Sequence, residues 1–217
     1  MKAILITITV FVLALTTNAQ PFSGEIQAFK KQDSLSFPVP NQILLIGSSS
    51  FRLWKDVQNS FPTYPIVNRA FGGSTLPDII RYRYEVIYAY QPKQILIYCG
   101  ENDFASSDTV TVATVANRYK QLHQLIRAKF PAVPIGYVSM KPSPSRQHLL
   151  PKYKEANYQI QQFLATDANA TFINVYKAML NSNGQPMPDL FIADNLHMNA
   201  KGYSIWQKII LPYLVKQ

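Results

Sequence analysis

The sequence predicts a three-layer α/β/α sandwich around a parallel sheet of about five strands. Three observations carry that expectation. Five short apolar runs recur along the chain, longer amphipathic stretches separate them, and the runs are apolar almost without a break. Alternating strand and helix implies parallel strands joined through crossover helices. Strands covered by helices on both faces carry apolar side chains on both sides. A chain of 217 residues, 47% hydrophobic and 15% charged, suits one such domain.

The chain opens with a segment of another kind. Lys2 gives a positive start, Ile4 to Leu15 is apolar except for threonines, and Thr17-Asn18-Ala19 ends on a small residue. This is the layout of a secretory signal peptide, and the apolar run is too short to cross a bilayer comfortably. Residues 1–19 are therefore expected to be removed. That leaves 20–217 as a single domain, secreted or periplasmic, with no stable membrane anchor after cleavage. Residues 20–41 read as an N-terminal arm with a short helix, Gly24 to Asp33, and a connector holding Pro38 and Pro40.

The strand candidates follow in order: Ile43–Gly47, Pro65–Asn68, Gln94–Cys99, Val133–Ser139 and Thr171–Tyr176. Each is short, rich in Ile, Val, Leu or aromatic residues, and bounded by Gly, Pro, Asn or Ser. Helical periodicity fills Leu76–Tyr90, Val110–Phe130, Leu150–Thr166 and Ala200–Leu214. Phe51-Arg-Leu-Trp54 reads as the start of a further helix.

The net charge is +9, and loss of Lys2 with the leader leaves about +8. The basic residues are scattered, with no dense run and no recognisable nucleic-acid module. A nucleic-acid partner is thus not expected, although a positive surface draws in acidic polymers. Cys99 is the one cysteine, so no internal disulfide is available and the core must hold the fold. Its place inside an apolar run suits a small buried hydrophobe better than a nucleophile. Asn169-Ala-Thr171 fits an N-glycosylation acceptor that only a eukaryotic secretory host would use.

Open α/β sheets bind ligands beyond the carboxyl ends of their strands. Four strand ends or connectors there carry polar chemistry. After the first run stand Gly47-Ser48-Ser49-Ser50. One serine is explained as a helix N-cap, but three are not. A nucleophile beside helix-start amides is the other reading, and the segment alone leaves both open. Asn68-Arg-Ala-Phe-Gly72-Gly73-Ser74 follows the second run, and its paired glycines allow a turn or a close approach of backbone to ligand. Gly100-Glu101-Asn102-Asp103 follows the third and offers a side-chain amide. Near the end, Asp194-Asn195-Leu196-His197 places an acid and an imidazole three residues apart. A serine nucleophile needs a base within hydrogen-bond reach, and the base needs a partner for its second nitrogen. His123 lies in a helical pattern and His148 has no nearby acid in sequence, so both read as surface residues.

Taken together, Gly47-Ser48-Ser49, Asn68 to Gly73, Gly100-x-Asn102-Asp103 and Asp194-x-x-His197 resemble the blocks of the SGNH, or GDSL-type, hydrolases, over essentially all of 20–217. The first block looks closest to a secreted subgroup reading GSSSxRxW. The resemblance implies a flavodoxin-like sheet and a serine-dependent carboxylic ester hydrolase without metal or organic cofactor. It implies Ser49 as nucleophile, His197 as base and Asp194 as the orienting acid. The oxyanion hole falls to the Ser49 and Gly73 amides and the Asn102 side chain. Ser48 stands where the family has an aspartate, which leaves Ser48 and Ser50 as alternative nucleophiles. Phe51 stands where G-x-S-x-G would need its second glycine, against the nucleophile elbow of α/β-hydrolases.

The substrate is expected to be a small-molecule or glycan ester, with an acetyl ester of carbohydrate as the leading case. A lysophospholipase or thioesterase-like activity, or a non-catalytic glycan-binding module on the same fold, are the alternatives. Arg146, in the Ser139–Arg146 loop, and Phe71 are the candidate substrate contacts. Trp54, Phe104 and Phe191 are further aromatics that either line a cleft or belong to the core.

Overall fold

The computed structural model describes residues 20–216, so the expected leader at 1–19 lies outside the described residues. Five strands form one sheet in the order β2-β1-β3-β4-β5, and every neighbouring pair is parallel. They are β1 (Ile43–Gly47), β2 (Ile66–Asn68), β3 (Gln94–Tyr98), β4 (Ile135–Val138) and β5 (Ala170–Ile173). The three central strands are buried at every residue, while the edge strands β2 and β5 are partly open. Their near-continuous apolar sequence is thus explained by cover on both faces.

Side chains alternate between those faces with the period of two that strands impose. Leu44 and Ile46 of β1, with Ile95 and Ile97 of β3, enter one core. Ile43 and Leu45, with Leu96 and Tyr98, enter the other. The first core is closed by α1 (Ser23–Leu35), α4 (Leu76–Arg81), α6 (Val112–Lys129) and α7 (Leu150–Leu164). The second is closed by the one-turn helices α2 (Ser49–Arg52) and α3 (Val57–Ser60) and by α8 (Ala200–Ile210), whose Trp206 is fully buried. Each aliphatic side chain so buried contributes about 1.5–3 kcal/mol. A last one-turn helix, α5 (Glu101–Ala105), follows β3. Among the described residues no helix is long and apolar enough to cross a membrane.

Two helical expectations are corrected. The Leu76–Tyr90 pattern is not one helix: α4 stops at Arg81, and a wider π turn covers Tyr84–Tyr88. That turn aims Val86 and Ile87 into the core and leaves Tyr84 exposed. The last helix ends at Ile210, because Pro212 cannot continue its hydrogen bonds, and a 3-10 turn covers Leu211–Tyr213.

The arm is fastened across the sheet end that carries β2. The Phe22 and Phe71 rings meet edge-on at 5.2 Å, and Ile26 is buried. Asp33 pairs with Arg69 and accepts from the Tyr90 hydroxyl. The Glu25 carboxylate pairs with Arg52 and accepts from the Gly72 amide at 3.2 Å. The arm therefore grips the loop after β2 as well as packing on the core.

The strand order runs outward from β1 to β2 on one side and from β3 to β5 on the other. The switch falls between β1 and β3, whose carboxyl ends open a crevice.

Candidate active site

The first strand ends on a glycine for a steric reason. Gly47 has φ +130, and a Cβ there would lie 1.9 Å from the carbonyl oxygen of Tyr98. This approach lets the Ser48 amide donate to that same oxygen at 2.8 Å. The chain then turns into α2, and the three serines take three different places. Ser48 is buried and accepts from Asn102 Nδ2 at 2.7 Å. Ser50 is buried, and its carbonyl accepts from Tyr203 Oη at 2.9 Å. Ser49 alone faces an imidazole: its Oγ lies 3.0 Å from His197 Nε2, across 148 residues of chain.

His197 is delivered by a tight local loop. The Ile192 amide donates to the His197 carbonyl at 2.9 Å, the Asn195 amide returns to the Ile192 carbonyl at 2.9 Å, and Asn195 takes the left-handed conformation at φ 55. Asn tolerates that conformation better than most residues. Asp194 Oδ1 accepts from the Leu196 and His197 amides, each at 2.9 Å. Its Oδ2 lies 2.6 Å from His197 Nδ1. An ionised carboxylate only accepts, so the proton sits on Nδ1 and Nε2 presents a lone pair to Ser49. Partial burial raises the Asp194 pKa, but the hydrogen bond with the His197 ring and those from the two backbone amides outweigh it and hold it at about 2.

Gly73 sits at φ +77 in the loop after β2. Among the described residues, neither the Gly73 nor the Ser49 amide donates a backbone hydrogen bond outside regular helices and strands, and Ser49 opens its helix, where amides have no intrahelical acceptor. Asn102 differs: Nδ2 donates both to Ser48 Oγ at 2.7 Å and to the Ser74 carbonyl at 3.0 Å. Its Oδ1 accepts from Arg146 Nη2 at 2.8 Å.

Phe71 corrects an expectation. Its side chain has no exposed surface and lies in the core, 5.2 Å from the Phe22 ring and 5.9 Å from Tyr82, so it presents nothing to a substrate. Trp54, Phe104 and Phe191 are buried as well. Cys99 is fully buried and its thiol pKa is pushed well up by that burial, which keeps it protonated and unreactive. His123 is buried, not on the surface as the sequence suggested, and it lies 3.0 Å from Asp167, which precedes β5 at the opposite edge of the sheet. Among the described residues no cluster of three or more His, Cys, Asp or Glu is placed to hold a metal ion.

Sequence reasoning missed an ionic cluster behind Asn102. Lys141, 1% exposed, places Nζ 3.1 Å from Glu101 Oε2, and its backbone amide donates to Glu101 Oε1 at 3.1 Å. The Tyr98 hydroxyl donates to the same carboxylate, and Arg146 Nη1 lies 3.5 Å from it. The available signal was position: Glu101 and Lys141 each follow a central strand, at the edge where ligands bind. The space enclosed among Ser49, Asn102, Lys141, Arg146 and Leu196 is about 10 Å³, room for roughly one water molecule.

The model of the GDSL-like lipase/acylhydrolase family matches residues 46–205, from the end of β1 into α8. The chain belongs to that family. It is accordingly a serine-dependent carboxylic ester hydrolase. Solved structures share the acylhydrolase's fold at low identity. A Streptococcus pneumonia protein described as a candidate platelet activating factor superposes with a TM-score of 0.77 at 22% identity, covering 88% of this chain and 92% of that one. A GDSL-like lipase from Bacteroides thetaiotaomicron gives 0.73 at 20% identity, covering 87% and 96%. A mutant acetyl-xylooligosaccharide esterase from Geobacillus Stearmophilus gives 0.62 at 16% identity, covering 80% and 94%. No curated protein matches the chain. The arm of this acylhydrolase precedes the family match, yet its Glu25 holds the Gly72 amide of the loop that bears Gly73.

Proposed function

We propose that this acylhydrolase is a secreted esterase that removes small acyl groups, acetyl foremost, from carbohydrate, with Ser49, His197 and Asp194 as its catalytic triad. The observation that carries the reading is the unbroken line from Ser49 Oγ to His197 Nε2 at 3.0 Å and from Nδ1 to Asp194 at 2.6 Å. Ser49 Oγ bonds to the ester carbonyl carbon while its proton moves to Nε2. The carbonyl electrons become an oxyanion, received by the Ser49 and Gly73 amides and by Asn102. Collapse of this intermediate expels the alcohol, which takes the proton from Nε2. Water then attacks the acyl-enzyme, again giving its proton to Nε2, and the acid leaves with Ser49 restored. One oxyanion donor of this kind is worth about 10²–10³ in rate.

The acetyl-xylooligosaccharide esterase among the structural neighbours supports a carbohydrate alcohol. Secretion rests on the leader-like pattern of residues 1–19.

The test compares the mature protein with Ser49→Ala on p-nitrophenyl esters of increasing chain length and on acetylated xylan. The expected result is loss of nearly all activity in the variant, with acetate the preferred acyl group. Full activity in Ser49→Ala would remove Ser49 as nucleophile. A preference for long acyl chains would replace the substrate assignment. An intact protein that neither turns over these esters nor takes a fluorophosphonate label at Ser49 would leave the glycan-binding module as the reading.

A further inference from the structure

Arg146 was a candidate substrate contact, but its guanidinium is turned toward Asn102. Nη2 donates to Asn102 Oδ1 at 2.8 Å. Arginine has donors only, so the atom of Asn102 that faces it must be the oxygen. Nδ2 is then directed at Ser48 Oγ and the Ser74 carbonyl, toward the crevice beside Ser49. The acceptor at Ser74 and the donor at Arg146 demand the same orientation of the amide from opposite ends.

The guanidinium is itself held. Its other branch lies 3.5 Å from Glu101, and Glu101 is shared with Lys141 at 3.1 Å. The Glu101 carboxylate therefore faces two basic side chains, Lys141 and Arg146, behind Asn102. Arg146 sits in the tight turn Pro144–Leu149, whose Ser145 amide donates to the Asn195 carbonyl at 3.1 Å. Asn195 lies between Asp194 and His197. One short turn thus touches both the amide side and the imidazole side of the site.

We propose that Arg146 is a positioning residue for the oxyanion site, fixing the Asn102 amide through Oδ1 and polarising its N–H toward the developing negative charge, and that it is not a substrate contact. This rests on Asn102 being an oxyanion donor, as proposed above. The oxyanion would share the Nδ2 hydrogen now directed at Ser48 Oγ. A neighbouring cation strengthens an amide donor by pulling on its carbonyl oxygen, an effect that grows where water is scarce.

The test is a double-mutant cycle of Arg146→Ala and Asn102→Ala, read as kcat and KM on p-nitrophenyl acetate and on an acetylated xylooligosaccharide. Arg146→Ala is expected to lower kcat about 10–100-fold on both substrates, the range of one hydrogen bond to a charged group, with KM little changed. In the Asn102→Ala background the same change is expected to cost less than about threefold. Guanidinium ion added to Arg146→Ala should recover part of kcat, and should recover none in the double variant that also carries Asn102→Ala. An undiminished loss in the Asn102→Ala background would overturn the proposal, as would a raised KM for the oligosaccharide ester with kcat intact. Arg146→Lys carries the same cycle if the alanine variant does not fold, because an ammonium keeps the charge without the planar fork. An active Ser49→Ala would instead show that the underlying reading of the site had failed, whatever Arg146 does.

Discussion

Asp194→Asn is the most informative single change at this site. Asparagine is nearly isosteric with aspartate, so its Oδ1 still accepts from the Leu196 and His197 amides, which now stand at 2.9 Å. The other end changes from acceptor to donor. An NH₂ group placed 2.6 Å from Nδ1 can only donate to it, which moves the imidazole proton to Nε2. Nε2 then points N–H, not a lone pair, at Ser49 Oγ 3.0 Å away, and the serine has no base. The charge that would stabilise an imidazolium is also gone. A base with the wrong tautomer costs about 10⁴ in kcat, on the order of 5.4 kcal/mol of barrier. Asp194→Ala removes the carboxylate without imposing the wrong tautomer, so it is expected to retain more activity than Asp194→Asn. The assay is kcat on p-nitrophenyl acetate for the three proteins at neutral pH, with thermal melting to show that each is folded. An asparagine variant within tenfold of the parent, or an alanine variant slower than it, would refute the tautomer argument.

Two further outcomes follow from single residues. Gly47→Ala places a methyl group 1.9 Å from the Tyr98 carbonyl oxygen at φ +130. A destabilisation of about 4 kcal/mol or more is expected in urea denaturation, because both the contact and the backbone conformation are unfavourable. For acid unfolding, Asp194 contributes stability that is fully present above its unfolded pKa of about 3.9. The folded value is about 2, so the contribution is lost as pH falls through the window between those values. Asp194→Asn should therefore flatten the fall in melting temperature between about pH 4 and pH 2. Its side chain is 42% exposed, so the change in slope should be small and smaller still in high salt.

The strands were legible because burial on both faces leaves a continuous apolar run, as in Ile43–Gly47 and Gln94–Tyr98. A parallel sheet collects its strand ends at one edge, which made Asp194, His197 and the three serines legible as neighbours, while the choice of Ser49 among the serines came only from the family resemblance. What could not be read was pairing without a local signature. Glu25 meets the Gly72 amide across 47 residues, and Arg146 meets Asn102 across 44. Neither side chain looks different in sequence from a solvated charge. Phe71 illustrates the opposite error. An aromatic just past a strand has the same sequence context whether it lines a cleft or fills the core, and here the arm's Phe22 covers it. The break in Leu76–Tyr90 escaped because a π turn keeps the apolar residues close to helical spacing.

The acid and the imidazole belong to one stretch of four residues tied by their own amides, while the serine they face comes from 148 residues earlier. The short partnership can assemble as soon as that stretch exists; the long one must wait until the end of β1 and the segment ahead of α8 have found each other. Ester turnover during refolding is therefore a clock for closure of the whole chain. It will start only after secondary structure and local loops have recovered, and a circular permutant that rejoins these distant segments would set that clock to a different hour.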